Sequence, residues 1–391
     1  MRHACLLALL ACAPVALGAP GSVQLRASSA PITGDVRALP GGAQVVVASK
    51  DAPGANLLVA WHRVRALNGE PMGAWAEVSD ALMRAVARIE RGDAPGAAEA
   101  AEPILRAGLA GGQLPQGPTA MALLETLLRA RLERGSQTAS TLAWLRWHQA
   151  WQQRPGPDSG QQWVGASLYL APIIDADTGL CPSLPPAFGP SVSLQALGAL
   201  LRSPEWQGLT GAPGPAGELA GAYRAAAAFE ENGTELAEAL PGTSDSAQLV
   251  AEIVSARAGV SAVRAGARAK LQARAAALSR DEATRETEGA DDAEPVADGS
   301  WQRAWVHLGI GRSLLREDDA AQRRAGVLEL LHVPALYGDR LPALAGLALL
   351  DARRELTSQR AQPGEAGAGL EGIERDIRER FGALAWVLDA P

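Results

Sequence analysis

Residues 305–335 read WVHLGIGRSLLREDDAAQRRAGVLELLHVPA, and the fold turns on how this stretch is interpreted. Apolar residues recur three and four apart on either side of a polar centre, REDD, which is the pattern of two amphipathic helices joined by a short turn. Gly309 and Ala321 are small residues within that pattern. Small side chains are needed where the two helices of a hairpin cross closely, because a larger one holds the axes apart. Trp305 and Leu308 then fill the space beside the crossing.

The order Trp305, Leu308-Gly309, Ala321 and Pro334 resembles the tetratricopeptide repeat, W-x2-L-G-x2-Y followed by A-x3-F and P. Three positions depart from it: Arg312 stands where the family has tyrosine, Ala325 where it has phenylalanine, and the proline is one place late. LPALAGLALLDA (341–352) repeats the first helix, pairing Leu308 with Leu344 and Gly309 with Ala345. The segment Val78–Leu109 fits the same scheme more loosely through Ala85, Gly92-Asp93, Ala97, Ala101 and Ile104. The resemblance thus covers 300–355 and, less closely, 74–110. It implies stacked helical hairpins whose concave face binds a peptide or protein partner.

Ahead of the helices the period changes. SVQLRASS, GDVRAL, AQVVVAS and NLLVAWHRVRAL are short, β-branched or alternating, and are separated by Pro and Gly, which predicts four strands. Their arrangement resembles the Sm-like or SH3-like half-barrels of exported bacterial proteins. The expected fold is therefore mainly α, with tetratricopeptide-like hairpins behind a small N-terminal β-sheet or half-barrel. The expected organisation is a leader over 1–18, a β module over 22–70 and a helical domain over 71–280 with a Pro/Gly-rich insertion at 154–192. An acidic linker over 281–299 and a tetratricopeptide-like domain over 300–391 complete it. Residues 281–298 hold eight acids and one arginine, and such a stretch offers too little apolar surface to offset the entropy of ordering.

The N-terminus reads as an export signal. Arg2 is followed by an apolar run over 4–13, a break at Pro14 and the small residues Ala16-Leu17-Gly18 before Ala19, as a signal peptidase requires. An alternative is the sequence LLAC (9–12), in which Cys12 would be acylated and anchor the chain to a membrane. Export makes the protein periplasmic or extracellular. Cys5 and Cys12 lie within the leader, which leaves Cys181 without an intramolecular disulfide partner. The net charge is −7, so there is no basic excess to neutralise phosphates and no nucleic-acid partner is expected. Only two of the 36 basic residues are lysine, a skew that reads as coding bias rather than as a demand for guanidinium contacts.

DADTGLCPSLPPAFGP (175–190) is the candidate for chemistry. Asp175-x-Asp177-x-Gly179 resembles the start of a calcium loop, but the acid needed at position twelve falls on Pro186. Cys181 as a nucleophile lacks a local base, since none of His62, His148, His307 and His332 stands in a catalytic signature. The segment reads better as a surface loop pinned by Leu180, Leu184 and Phe188. In TLAWLRWHQAW the indoles of Trp144, Trp147 and Trp151 share a helix face. This stripe is core or, with Trp163, Asp175 and Asp177, a binding surface. Arg264, Arg268, Lys270 and Arg274 read as a solvated basic face. No metal or cofactor is expected. The leading reading is an exported, non-enzymatic interaction protein. The alternatives are a polysaccharide-binding or polysaccharide-degrading enzyme using the Trp-rich region 144–163, and an envelope component anchored through Cys12.

Overall fold

The computed structural model describes residues 19–47, 54–68, 72–73, 75–111, 114–168, 170–190, 192–287, 300–360 and 367–382. The leader, including Cys12, lies outside these residues, as does most of the acidic linker. The protein is mainly α, with a six-stranded sheet in its N-terminal part. The described chain forms two compact units. The first comprises 19–87, 100–123 and 154–168, and the second 88–99, 124–153 and 169–382.

In the first unit the strands are β1 (Ala19–Leu25), β2 (Ile32–Leu39), β3 (Gly42–Val47), β4 (Asn56–Val59), β5 (Val64–Asn68) and β6 (Gln161–Val164). The sheet order is β5-β1-β2-β3-β4-β6. All pairs are antiparallel except β4 with β6, where Leu57 stands opposite Gln162. Alternate residues point inward, so Val23, Val36, Val45, Val59 and Val64 form the core around Trp61. The stretch NLLVAWHRVRAL is not one strand. Ala60 and Trp61 are both fully buried, which breaks the period of two, and Trp61–Arg63 form a 3-10 turn between β4 and β5. The Trp61 indole donates to the Leu39 carbonyl at 3.0 Å and stacks on Trp75 at 6.1 Å. The segment QQWVGASLYL, whose periodicity fits a helix as well as a strand, supplies β6. Its pairing covers the edge that β4 would otherwise expose.

The helices begin with α1 (Trp75–Ile89), α2 (Ala94–Gly111) and α3 (Gly117–Glu133), each of which contributes residues to both units. Leu82, Ala85, Ala97, Ala101 and Ile104 are buried, whereas Gly92 and Asp93 are exposed. In the second unit follow α4 (Gln137–Gln152), α5 (Leu194–Arg202), α6 (Pro204–Thr210), α7 (Pro215–Asn232), α8 (Asp245–Ala258) and α9 (Ser261–Thr287). The array ends with α10 (Ser300–Leu314), α11 (Ala320–Tyr337), α12 (Pro342–Arg360) and α13 (Gly367–Arg380). From α7 to α13 each helix packs on the next, and α10 also rests on α8. The short connections at α8–α9, α10–α11 and α11–α12 favour this order. Serines at 193, 203 and 244 and Asp319 cap the starts of α5, α6, α8 and α11, each supplying an acceptor to an otherwise orphaned N–H.

Gly259 ends α8, while Gly266 lies inside α9, where a single interior glycine costs only about 1 kcal/mol among alanine, arginine and leucine. The same helix runs on through residues 281–287, where DEATRET has no glycine or proline to stop it, so the acidic stretch is helical at its start.

The α10–α11 hairpin crosses at different residues from those the repeat pattern marks. Gly309 and Ala345 are buried, Gly309 against Leu271 of α9 and Ile253 of α8. Ala321 and Ala325, by contrast, are exposed in the first turns of α11. The crossing is made by Gly311 and Gly326: a Cβ on Gly326 would lie 2.9 Å from the Gly311 carbonyl oxygen and 2.9 Å from Leu314 Cβ. Pro334 lies inside α11, one turn before its end. Substituting Gly326→Val should cost about 1–3 kcal/mol by overpacking, seen as a lowered denaturation midpoint, whereas Ala325→Val should change it by no more than about 0.5 kcal/mol. Equal effects would place the crossing elsewhere.

Candidate functional site

Residues 175–190 carry no regular secondary structure, yet they are not a surface loop. Leu180, Cys181, Leu184 and Phe188 are at most 1% exposed, so the segment threads the second unit's interior. A buried carbonyl without a donor is costly, and here side chains from four helices supply donors. Trp144 of α4 donates to Gly179 O at 3.0 Å, and Gln137 of α4 to Ala187 O at 2.7 Å. Tyr223 of α7 donates to Leu184 O and Ser246 of α8 to Thr178 O at 3.1 Å. Trp305 of α10 donates to Pro182 O at 2.8 Å, and Arg312 to Phe188 O at 2.7 Å.

The candidate residues from the sequence separate accordingly. Trp144 is fully buried, tilted against Tyr223 at 5.2 Å, and is core. Trp147, 7% exposed, stacks on the half-buried Trp151 at 6.2 Å. Gly179 takes a φ of +68°, and a Cβ there would lie 3.0 Å from His148 and 3.1 Å from Trp151. The occupant of this stretch of aromatic face is therefore the protein's own 175–190 segment. Trp163 stands on β6, in the first unit.

Asp175 is used within its turn: one carboxylate oxygen accepts the N–H and hydroxyl of Thr178 at 2.8 and 2.6 Å, and the other accepts the Trp301 indole at 3.3 Å. Asp177 is exposed, and both oxygens of Asp175 are already engaged, unlike the free carboxylates that a calcium loop aims at its ion. Burial pushes the Cys181 thiol up to about 12 and the His148 imidazole down to about 4. Both are neutral at physiological pH, and neither is prepared for nucleophilic catalysis.

Arg312, the residue in place of the repeat's tyrosine, is 2% exposed and anchors a buried ion cluster. Beyond Phe188 O, its guanidinium reaches Glu230 Oε1 at 3.1 Å and has Nε 2.9 Å from Asp351 Oδ2. The second contact pairs charges without the N–H being aimed at the oxygen. Arg257 meets Glu230 at 2.9 Å. Burial works against ionising Glu230, but Arg312 and Arg257 outweigh it and hold the carboxyl below its usual range. At Asp351 burial prevails and raises the carboxyl. The supposed solvated basic face is also partly internal. Arg264 is buried, Arg264 and Arg268 share Glu317 at 3.4 and 2.6 Å, and Arg274 pairs with Glu252 at 3.3 Å. Lys270 alone of the four is exposed.

The buried segment forms one wall of a cleft of about 480 Å³, within the size range of ligand pockets. Leu184 and Pro185 of that segment face it, with Leu132 from the end of α3, Leu347 from α12 and Phe381 beyond α13. Its polar lining includes Arg134, Gln137, Ser140 and Arg380. The Ser140 hydroxyl is fully buried and has no hydrogen-bond partner. None of these lining residues carries a chemical signal in the sequence, where Leu132 and Leu184 read only as apolar packing positions. They come from four stretches far apart in the chain, and no local spacing joins them. Elsewhere, between α10 and α11, His307 Nδ1 lies 2.7 Å from Glu329 Oε2. The only local trace of that pair is Glu329-x-x-His332.

These features define a mainly α protein with a small N-terminal β-sheet and a helical array that carries an apolar cleft. Compared with family models, with curated proteins and with solved structures, the chain matches none.

Replacing Arg312 by methionine leaves two buried carboxylates short of a cation and the Phe188 carbonyl without a donor. A loss of about 3–5 kcal/mol is expected, measurable by urea denaturation at neutral pH. A change below about 1 kcal/mol would show that the cluster is not a structural anchor.

Proposed function

We propose that the protein is an exported, non-enzymatic interaction protein whose helical array holds a short apolar peptide segment of a partner in the cleft at the α3–α4 turn. The observation that carries this reading is the cleft itself, an apolar wall beside a buried hydroxyl, Ser140, that lacks a partner. A peptide backbone supplies both donors and acceptors, and its side chains can cover Leu132, Pro185 and Phe381.

Two further observations support a divergent tetratricopeptide-like array. From α7 to α13 consecutive helices pack in sequence order, and the paired positions Leu308 and Leu344 are each buried, as are Gly309 and Ala345. Arrays of this kind use the surface left after each hairpin has buried its stripe. In the first unit, β5 returns to pair with β1 beside the β1-to-β4 meander, which supports the half-barrel resemblance. The polysaccharide reading is weakened because Trp144 belongs to the core.

Peptide display against the full chain tests the binding. Selected peptides should carry apolar side chains and bind at least tenfold more weakly to Ala343→Trp, which places an indole in the cleft from an exposed position. Failure to enrich any peptide, or equal binding by the variant, would overturn the reading.

Export is a separate matter. β1 begins at Ala19, so cleavage just before it leaves the sheet intact. Among the described residues no helix is long and apolar enough to cross a membrane. Mass spectrometry of protein from the native host should give an N-terminus at Ala19. A diacylated Cys12 would instead make the protein membrane-anchored, and an intact Met1 would remove export altogether.

A further inference from the structure

We propose that His307, Glu329 and His332 bind a divalent transition metal ion of the zinc class across the α10–α11 hairpin. His307 projects from α10, while Glu329 and His332 lie three apart on α11 and so share a helix face. His307 Nδ1 is 2.7 Å and His332 Nδ1 3.8 Å from Glu329 Oε2, and one donor atom from each residue falls within 4.8 Å of the other two. Four donors held tetrahedrally at zinc's bond lengths of about 2.0–2.1 Å stand about 3.3 Å from one another. The three atoms bracket that spacing, and small side-chain rotations suffice to meet it.

The backbone explains why they meet. His307 is one helical turn from Gly311, and Glu329 is one turn from Gly326, the two glycines that let the helices touch. Without that close crossing, an imidazole on α10 would not reach a carboxylate on α11.

The distribution of histidine is a second observation. The chain has five, and four lie among the described residues. His62 and His148 are buried, and burial lowers them to about 3 and 4. The remaining two are the accessible ones, and their rings are 5.0 Å apart. The site is half-exposed, at 22%, 30% and 51% for His307, Glu329 and His332, so an ion can enter without opening the core. Two imidazoles and a carboxylate favour zinc, cobalt, nickel or copper over magnesium or calcium, which prefer all-oxygen sets. Three protein donors leave one tetrahedral position for water.

The test uses untagged full-length protein, stripped with a chelator and dialysed. Zinc binding is followed by calorimetry, and cobalt(II) binding by its visible d–d absorption, which is intense only in tetrahedral surroundings. One ion per chain with micromolar or tighter affinity is expected, together with a raised thermal midpoint. His307→Gln and Glu329→Gln should each weaken binding at least tenfold while circular dichroism stays unchanged. His62→Gln, if it folds, should bind as the parent does. Zinc bound only at millimolar concentration, or binding that survives both cluster substitutions, would overturn the proposal and leave the His307–Glu329 contact a simple hydrogen bond.

Discussion

An irregular segment can run through the inside of a helical array only if the carbonyls it buries find donors. Helices cannot provide these from their backbones, whose N–H groups are already committed after the first turn. The 175–190 segment is therefore held largely by side chains, most of them long or aromatic: two tryptophans, a tyrosine, a glutamine and an arginine, with one serine. This requirement places large residues with a single polar tip on the inward faces of α4, α7 and α10. It also decides the cleft, because Leu184 and Pro185 form its wall only while the segment is fixed. Structure, stability and candidate site thus share one set of hydrogen bonds.

Arg312 shows why one of those donors is charged. Tyrosine at that position, as in the repeat pattern, could satisfy a single acceptor. The guanidinium serves Phe188 O and Glu230 and lies against Asp351, joining the threaded segment to α7 and α12 at once. Its charge has to be balanced inside the protein, and the opposite tendencies of Glu230 and Asp351 show how closely. Glu230 has Arg257 as a second cation and stays below the ordinary range, whereas Asp351 is dominated by its burial. An ion cluster so placed costs desolvation on every member, and removing one partner leaves a buried charge uncompensated.

How far the sequence revealed this depends on whether the signal was local. Periodicity exposed the helices of the tail half, because Trp305, Leu308 and Leu344 sit on faces that any packing partner must cover. It also exposed β1 to β3, whose inward residues alternate. The fourth strand was misjudged where Trp61 turned inward and broke the alternation. β6 was undecidable because its stability comes from pairing with β4, about a hundred residues earlier. The hairpin crossing was shifted from Ala321 to Gly326 because several small residues fit the motif and only the register of two helices chooses among them. The cleft was invisible for the same reason: Leu132, Leu184, Leu347 and Phe381 each read as ordinary core until the helices are assembled.

The arginine-rich composition gains a physical meaning from the same geometry. Read from the sequence, the near-absence of lysine looked like coding bias. Inside the array many guanidiniums serve a carboxylate and a main-chain carbonyl together. Arg129 meets Glu125 and Ala171 O, Arg316 meets Glu235 and the carbonyls of Arg257 and Gly259, and Arg323 meets Glu355 and the carbonyls of Glu317 and Asp318. These carbonyls lie at helix ends, where the last acceptors have no partner of their own, or in the connections between helices. A planar fork with five donors can cap such a carbonyl and pair a charge in one side chain, whereas an ammonium on a flexible stem presents a single point of contact. Whatever set the codon usage, the helix junctions depend on the shape of arginine, and lysine at Arg312 or Arg316 would keep the charge while losing the bridge.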